Sequence, residues 1–184
     1  MSDLIWVKRG ILEFLWQANR PVSLRDISEA VNLESRRVNM HLLHLRKKGY
    51  VAALDNGSYV LTDLGREALG FPRIDKDLSR EILREQPYEK SFHFYSGIGR
   101  PLGISSSNLI DLCEKIREIG FDSFEFHFTR GDFERWIMFL GDLELAKRLE
   151  TIRGRGEVSE EVREKIYNLI RQRCNELQRK IFSS

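Results

Sequence analysis

Cysteine is scarce in this sequence. There are two, Cys113 and Cys174, in 184 residues. Neither has a Cys or His close by in sequence, which excludes a disulfide scaffold and a C-x-x-C metal knuckle and predicts reduced, buried thiols in a cytoplasmic protein. There is no apolar run long enough to cross a bilayer. The opening MSDLIWVKRG lacks the basic-then-apolar order of a signal peptide. Charge of one sign is also lacking: 30 Lys and Arg stand against 28 Asp and Glu, a net charge of +2. The whole chain is therefore not a generic polyanion binder. No H-E-x-x-H, Ser-His-Asp signature or Walker loop is present, so the sequence gives no support for an enzyme, and no cofactor or metal is expected. The loop Gly97-Ile-Gly-Arg-Pro-Leu-Gly103 matches neither phosphate-binding glycine pattern and reads as a tight connection.

What is present is ordinary globular composition with strong local periodicity. Hydrophobic residues make up 41% of the chain and aromatics 10%, enough for one large core or two small ones. Leu4 to Ala18 reads as a first helix, with Ile5, Ile11, Leu12, Leu15 and Trp16 as core candidates. Ser23 caps a second helix, with Asp26 as its capping-box partner. From Val38, apolar residues Val38, Leu42 and Leu45 follow the i, i+4, i+7 spacing of a third helix, and Gly49 ends it. Two short strands, Tyr50 to Leu54 and Tyr59 to Leu61, flank Asp55-Asn56-Gly57-Ser58, whose Asn-Gly pair suits a tight hairpin. A short fourth helix runs from Thr62-Asp63 to about Gly70.

A basic helix that runs straight into a hairpin is the core of a winged helix-turn-helix. The line LRKKGYV…DNGSYVLTDLGREAL resembles the recognition helix, wing and following helix of archaeal and bacterial winged-helix regulators. That resemblance implies an N-terminal DNA-binding domain over residues 1–70. On the third helix, Arg36, Met40, Leu43 and Lys47 lie opposite the apolar face, with Arg37, Asn39 and His44 beside them. Arg and Asn are suited to bidentate contacts with guanine and adenine edges. Lys47, Lys48 and Asn56 in the wing would meet phosphates. Met40 and Leu43 also suit a protein partner, so the alternative is a protein-interaction winged helix in an assembly or general transcription factor. The formal excess of cations lies in residues 1–70, with ten Lys and Arg against eight Asp and Glu.

Residues 71–90 are polar and carry Pro72 and Pro87. They read as a linker, with a helical piece over Leu78 to Arg84. Residues 91–184 read as a second, helix-rich α+β domain that dimerises the protein, senses a small-molecule effector, or both. Phe92 to Tyr95 alternates as a strand, and Ser105-Ser106-Ser107 offers a cap for a helix over Leu109 to Ile119. Phe124, Phe126 and Phe128 alternate with polar residues as a second strand. Helices are expected over Gly131 to Leu140 and Leu143 to Ile152, with a long final helix from about Ser159 to Ile181.

Residues 92–152 resemble an uncharacterised archaeal and bacterial domain with the pattern F-x-F, then F-H-x-x-R-G-D-F-x-x-W-I and L-G-D. Here these are Phe92, Phe94, Phe126, His127, Arg130, Gly131, Asp132, Phe133, Trp136, Ile137, Leu140, Gly141 and Asp142. The resemblance implies no activity. A ligand site formed by His93, Glu125, His127, Arg130, Asp132 and Trp136 is one reading, and an enzyme housed in residues 91–152 is the weakest. The competing structural reading has Asp132 capping a helix, Arg130 in an ion pair and His127 donating to backbone. The final helix carries Val162, Ile166, Leu169, Ile170, Cys174, Leu177 and Ile181 in one apolar stripe. Such a stripe must be covered, either by the strands and helices of residues 91–152 or by a second chain; with only two strands expected in this half, the homodimer is the expectation. The fold class is therefore mainly α with small β, and the expected partners are double-stranded DNA, a second copy and an effector.

Overall fold

The computed structural model describes residues 2–182, and the side chains of residues 6–182. Ile5, expected in the core, lies outside the described side chains. The fold is mainly α with two small antiparallel sheets. It divides into a unit of residues 1–73 and a unit of residues 74–184.

The first unit orders α1 (Ser2–Ala18), α2 (Leu24–Ala30), α3 (Ser35–Lys47), β1 (Val51–Ala53), β2 (Tyr59–Leu61) and α4 (Asp63–Ala68). Local chemistry sets the boundaries. Ser23 Oγ accepts from the Asp26 amide and Asp26 Oδ2 accepts from the Ser23 amide, a reciprocal cap on α2. Ile11, Ile27, Val38 and Leu42 are fully buried, so the apolar faces of α1, α2 and α3 meet in one core. Val22 exchanges both backbone hydrogen bonds with Tyr59, which ties the α1–α2 connection to the wing sheet.

Gly49 has φ +75 and ends α3, a conformation that costs other residues about 1–2 kcal/mol. Thr62 joins the next two turns: its hydroxyl donates to the Gly49 carbonyl at 2.6 Å and accepts from the Gly65 amide at 3.1 Å. Gly65 itself has no room for a side chain, since a Cβ there would stand 2.2 Å from the Tyr50 carbonyl oxygen. The tight hairpin expected from the Asn-Gly pair is present, with positive φ at only one of its two residues. Leu54 donates to Ser58 and Gly57 donates to Leu54, enclosing a three-residue loop in which only Gly57, at φ +77, is left-handed. Asn56 instead uses its side chain, with Oδ1 accepting from the Ser58 amide and hydroxyl.

The second unit orders α5 (Lys76–Leu83), a 3-10 turn (Tyr88–Lys90), β3 (Phe92–Tyr95), β4 (Pro101–Ser106), α6 (Leu109–Glu118), α7 (Phe121–Arg130), α8 (Asp132–Leu140), α9 (Leu143–Arg153) and α10 (Glu160–Phe182). The helical piece expected over Leu78 to Arg84, within the stretch read as linker, is α5, and Ile74 and Ile82 are part of this unit's core. The α6 cap is Asn108, whose side chain accepts from the Asp111 amide, while Ser105 and Ser106 belong to β4.

The strand expected over Phe124 to Phe128 is a helix. Phe124, Phe126 and Phe128 satisfy both a period of two and an i, i+4 spacing. The helical solution buries Ser123, Phe124, His127 and Phe128 together and leaves Glu125 exposed. Gly131, at φ +70, stops α7 and starts α8, and Gly141, at φ +103, ends α8.

The α10 stripe is covered within the chain. Ile166, Ile170 and Leu177 are fully buried in the unit's own core, against α5, α6 and α9. The stripe that was the reason for expecting a homodimer is thus mostly covered by this unit's own helices, with Leu169 and Ile181 half-buried. A buried ionic cluster fixes α10 to the α8–α9 turn. Asp142 is fully buried, caps α9 through the Leu145 amide, and pairs with Arg173 at 2.6 and 3.0 Å. Burial alone would lower the Arg173 pKa, but its hydrogen bond to Asp142 and the charges of Asp142, Glu144 and Glu176 outweigh burial and raise it. Both cysteines are free and buried; burial pushes Cys113 up to about 11 and Cys174 to about 12, which leaves unreactive thiols. Among the described residues, no helix is long and apolar enough to cross a membrane.

Candidate functional site

The first candidate surface is the outer face of α3. With Val38, Leu42 and Leu45 buried, Arg36, Arg37, Asn39, Met40, Leu43, His44, Arg46, Lys47 and Lys48 are all exposed. No Asp or Glu occurs between Ser35 and Leu54. Among the described residues, Arg36, Arg37, Arg46, Lys47 and Lys48 form no ion pair. The local field registers on His41, whose pKa is lowered by burial first and then by the charges of Lys8, Arg37 and His44. Met40 is 60% exposed and Leu43 54%, in line with Arg36 and Lys47. The wing carries no cation, and its tip places exposed Asp55 beside Asn56. The positive surface of this unit therefore rests on α3 rather than on the hairpin.

The second candidate is a cavity of about 570 Å³ in the second unit, between the β3–β4 hairpin and helices α7 and α8. His93, His127, Arg130, Asp132 and Trp136 all line it, so most of the residues suspected from the sequence converge there. Glu125 does not. In a strand it would share a face with His127, but residues two apart on a helix point to opposite sides.

His127 is the best determined of these groups. Its Nε2 lies 2.8 Å from the Tyr95 amide nitrogen and its Nδ1 2.8 Å from Asp132 Oδ2. A backbone N–H can only donate, so Nε2 is unprotonated and the proton sits on Nδ1, directed at Asp132. Burial lowers the His127 pKa, and the hydrogen bond and charge of Asp132 oppose that only in part. The imidazole is neutral with both nitrogens engaged, which leaves none for a metal or for proton transfer. Its partners tie β3 to the α7–α8 turn. Among the described residues, no group of His, Cys, Asp and Glu could hold a metal ion.

Asp132 also accepts from Arg130 Nε at 3.3 Å and from Arg135 Nη2. The Arg130 guanidinium lies 5.0 Å from the Phe126 ring centroid. Its Nη1 and Nη2 have no partner among the described residues. Trp136 Nε1 donates to the Lys90 carbonyl at 2.9 Å, so the indole is fixed in the cavity wall.

Tyr95, Ile98, Arg135 and Phe139, absent from the sequence-based set, also line the cavity. Arg135 and Phe139 stand three and seven positions after Asp132, one face of α8, and that spacing was the available signal. Tyr95 and Ile98 gave none, because only the hairpin brings them over the helices.

Residues 7–52 match a family model described as a winged helix-turn-helix DNA-binding domain. Residues 39–171 match the model of DUF5752, described as a family of unknown function. The latter match starts inside α3 and ends inside α10. Comparison with curated proteins and with solved structures finds no match.

Proposed function

The chain belongs to the DUF5752 family of unknown function, and we propose that it is a transcription regulator that places α3 in the major groove of duplex DNA. The observation that carries the reading is the unpaired cationic face of α3, from Arg36 to Lys48, with no acid between Ser35 and Leu54. On this reading Arg36, Arg37 and Asn39, in the first half of the helix, reach base edges, as recognition helices do with their N-terminal residues. His44, Lys47 and Lys48 lie toward the backbone, and Asn56, with its carbonyl oxygen used inside the turn, keeps its NH₂ for a phosphate.

Met40 and Leu43 meet thymine methyl groups. Three residues of helix advance about 4.5 Å, close to the 3.4 Å between base pairs, so the two side chains address neighbouring steps. The second unit acts as effector sensor through its cavity. His127 offers neither base nor metal ligand, so no catalytic step is assigned to it. With α10 covered inside the chain, the reading invokes no dimer through that helix.

A second reading is favoured by one observation, the exposure of Met40 and Leu43, which also suits a protein partner. Uracil substitution separates the two. A duplex selected from a random pool is remade with uracil for thymine, which removes only the methyl groups. Each buried methyl contributes about 0.8 kcal/mol, so affinity should fall about fourfold per contacted thymine. Met40→Ala with Leu43→Ala should abolish the difference between the two duplexes. Equal binding of both duplexes by the unaltered protein would reassign Met40 and Leu43 to a protein partner.

A further inference from the structure

The cavity of the second unit has walls of one chemical kind and polar groups of another, and together they specify a ligand. Tyr95, Ile98, Phe126, Trp136 and Phe139 supply flat or apolar surface. The Arg and Asp side chains are Arg130, Arg135 and Asp132, and with His127 neutral they sum to one positive charge in excess; His93, also in the lining, has its Nε2 turned to the Tyr88 carbonyl at 2.9 Å. That excess is matched by one negative charge; a phosphoryl dianion would leave the site overbalanced.

The position of that negative charge also follows. Arg130 is anchored at both ends of its guanidinium chemistry. Nε is held by Asp132 at 3.3 Å and the plane is held over Phe126 at 5.0 Å. Its Nη1 and Nη2 remain without a partner among the described residues. An arginine oriented in this way presents the two-pronged edge that carboxylates accept bidentately, at little further cost in side-chain entropy. Arg135 is less available, because Nη1 donates to the Arg130 carbonyl and Nη2 to Asp132. A volume of about 570 Å³ is in the range of small-molecule sites. Ile98, 86% exposed between Gly97 and Gly99 at the hairpin tip, is an apolar side chain at the cavity edge with nothing yet to cover.

We infer that this cavity binds a small aromatic monocarboxylate, its carboxylate on the free edge of Arg130 and its ring between Trp136 and Phe139. The inference rests on reading the second unit as an effector sensor, and it gives that effector a chemical class. Ile98 closes over the ring, and Asp132 acts as the positioning residue that aims Arg130.

Calorimetric titration of the full chain with benzoate, phenylacetate and indole-3-acetate tests it, with Trp136 emission as a second readout. Benzylamine, benzyl alcohol and phenyl phosphate are the controls. At least one of the acids should bind with a dissociation constant below about 1 mM, and the amine and alcohol should not bind. Arg130→Gln and Arg130→Lys should each weaken that acid about tenfold or more, since lysine keeps the charge and loses the fork. Phe139→Glu, at an exposed position that leaves the core intact, should expel the anion by repulsion.

No binding of any acid up to about 10 mM, tighter binding of phenyl phosphate, or unchanged affinity in Arg130→Lys would each overturn the inference. Duplex binding is measured on the same samples without ligand. Loss of ligand binding with DNA binding intact sinks this inference alone. Ligand binding without DNA binding sinks the regulator and leaves the cavity assignment in place.

Discussion

Replacing Arg173 by Met removes one partner of a buried ion pair and keeps most of the side-chain volume. Asp142 would keep the Leu145 amide at 3.0 Å and lose the guanidinium contacts at 2.6 and 3.0 Å. Its carboxylate is fully buried and cannot turn to water. Glu144 is less affected, because Arg148 holds it at 2.9 Å. A buried charge left unpaired costs about 3–5 kcal/mol. Against a total stability on the order of 5–15 kcal/mol, that is a large share. For a unit of this size it corresponds to a fall in melting temperature on the order of 10–20 °C. Adding Asp142→Asn should recover about 2 kcal/mol or more, since the amide oxygen still caps α9 and no charge remains to be compensated. Urea denaturation followed by hydrogen exchange in peptides from α9 and α10 isolates this unit from the other. A loss below about 1 kcal/mol in Arg173→Met, or a double variant no better than the single one, would refute the argument.

Two other outcomes are expected. The folded-state pKa of His127 is lowered, chiefly by burial. Below the ordinary value of about 6.5 the unfolded chain binds a proton that the folded chain resists. Its contribution is therefore complete above that pH and declines as pH falls toward the folded value, by at most about 1.4 kcal/mol per unit. Hydrogen exchange of the second unit at pH 7.5 and 5.5 should show this decline in the parent and a shallower one in His127→Gln; identical slopes contradict it. In the first unit, Gly65→Ala would force a Cβ to 2.2 Å from the Tyr50 carbonyl and 2.5 Å from Leu61 Cδ1. The backbone must move, at a cost of about 1–3 kcal/mol, and an unchanged thermal midpoint for that unit would show the contact is relieved at no cost.

The winged helix was legible because each of its elements carries a local signal. Val38, Leu42 and Leu45 repeat at helical spacing, Gly49 marks the stop, and the hairpin is bounded by turn residues. The hairpin is there, and what the sequence does not display is how the pair divides the work: Asn56 acts through its side chain and only Gly57 takes positive φ. The second unit was harder because its signals are degenerate. Phe124 to Phe128 fits two periods, and the choice is made by burial against α8 and β3, which the sequence does not display. β4 was missed because Leu102 and Ile104 are substantially exposed and Gly103, at φ +70, interrupts the pattern where the register shifts. The α10 stripe was read correctly as apolar, but the sequence showed only that it needs cover. The cover comes from α5, in a stretch that reads as linker, and from α6 and α9. Most of the candidate site was visible as residue types near a strand-to-helix junction. The junction is in fact helix to helix, and that change removed Glu125; Arg135 and Phe139 stand on a helix already expected, on one face with Asp132.

The claim that α3 binds duplex DNA is tested most directly by fluorescence anisotropy with a labelled duplex across a salt series. The unaltered protein should bind with a log–log salt slope of about −0.9 for each phosphate contact; three to five contacts from α3 give a slope between about −3 and −4.5. Lys47→Ala with Lys48→Ala, folded by circular dichroism, should bind more weakly and flatten that slope by up to about 1.8. No saturable binding at about 50 mM salt, or a double variant that binds as the parent does with the same slope, would contradict the account.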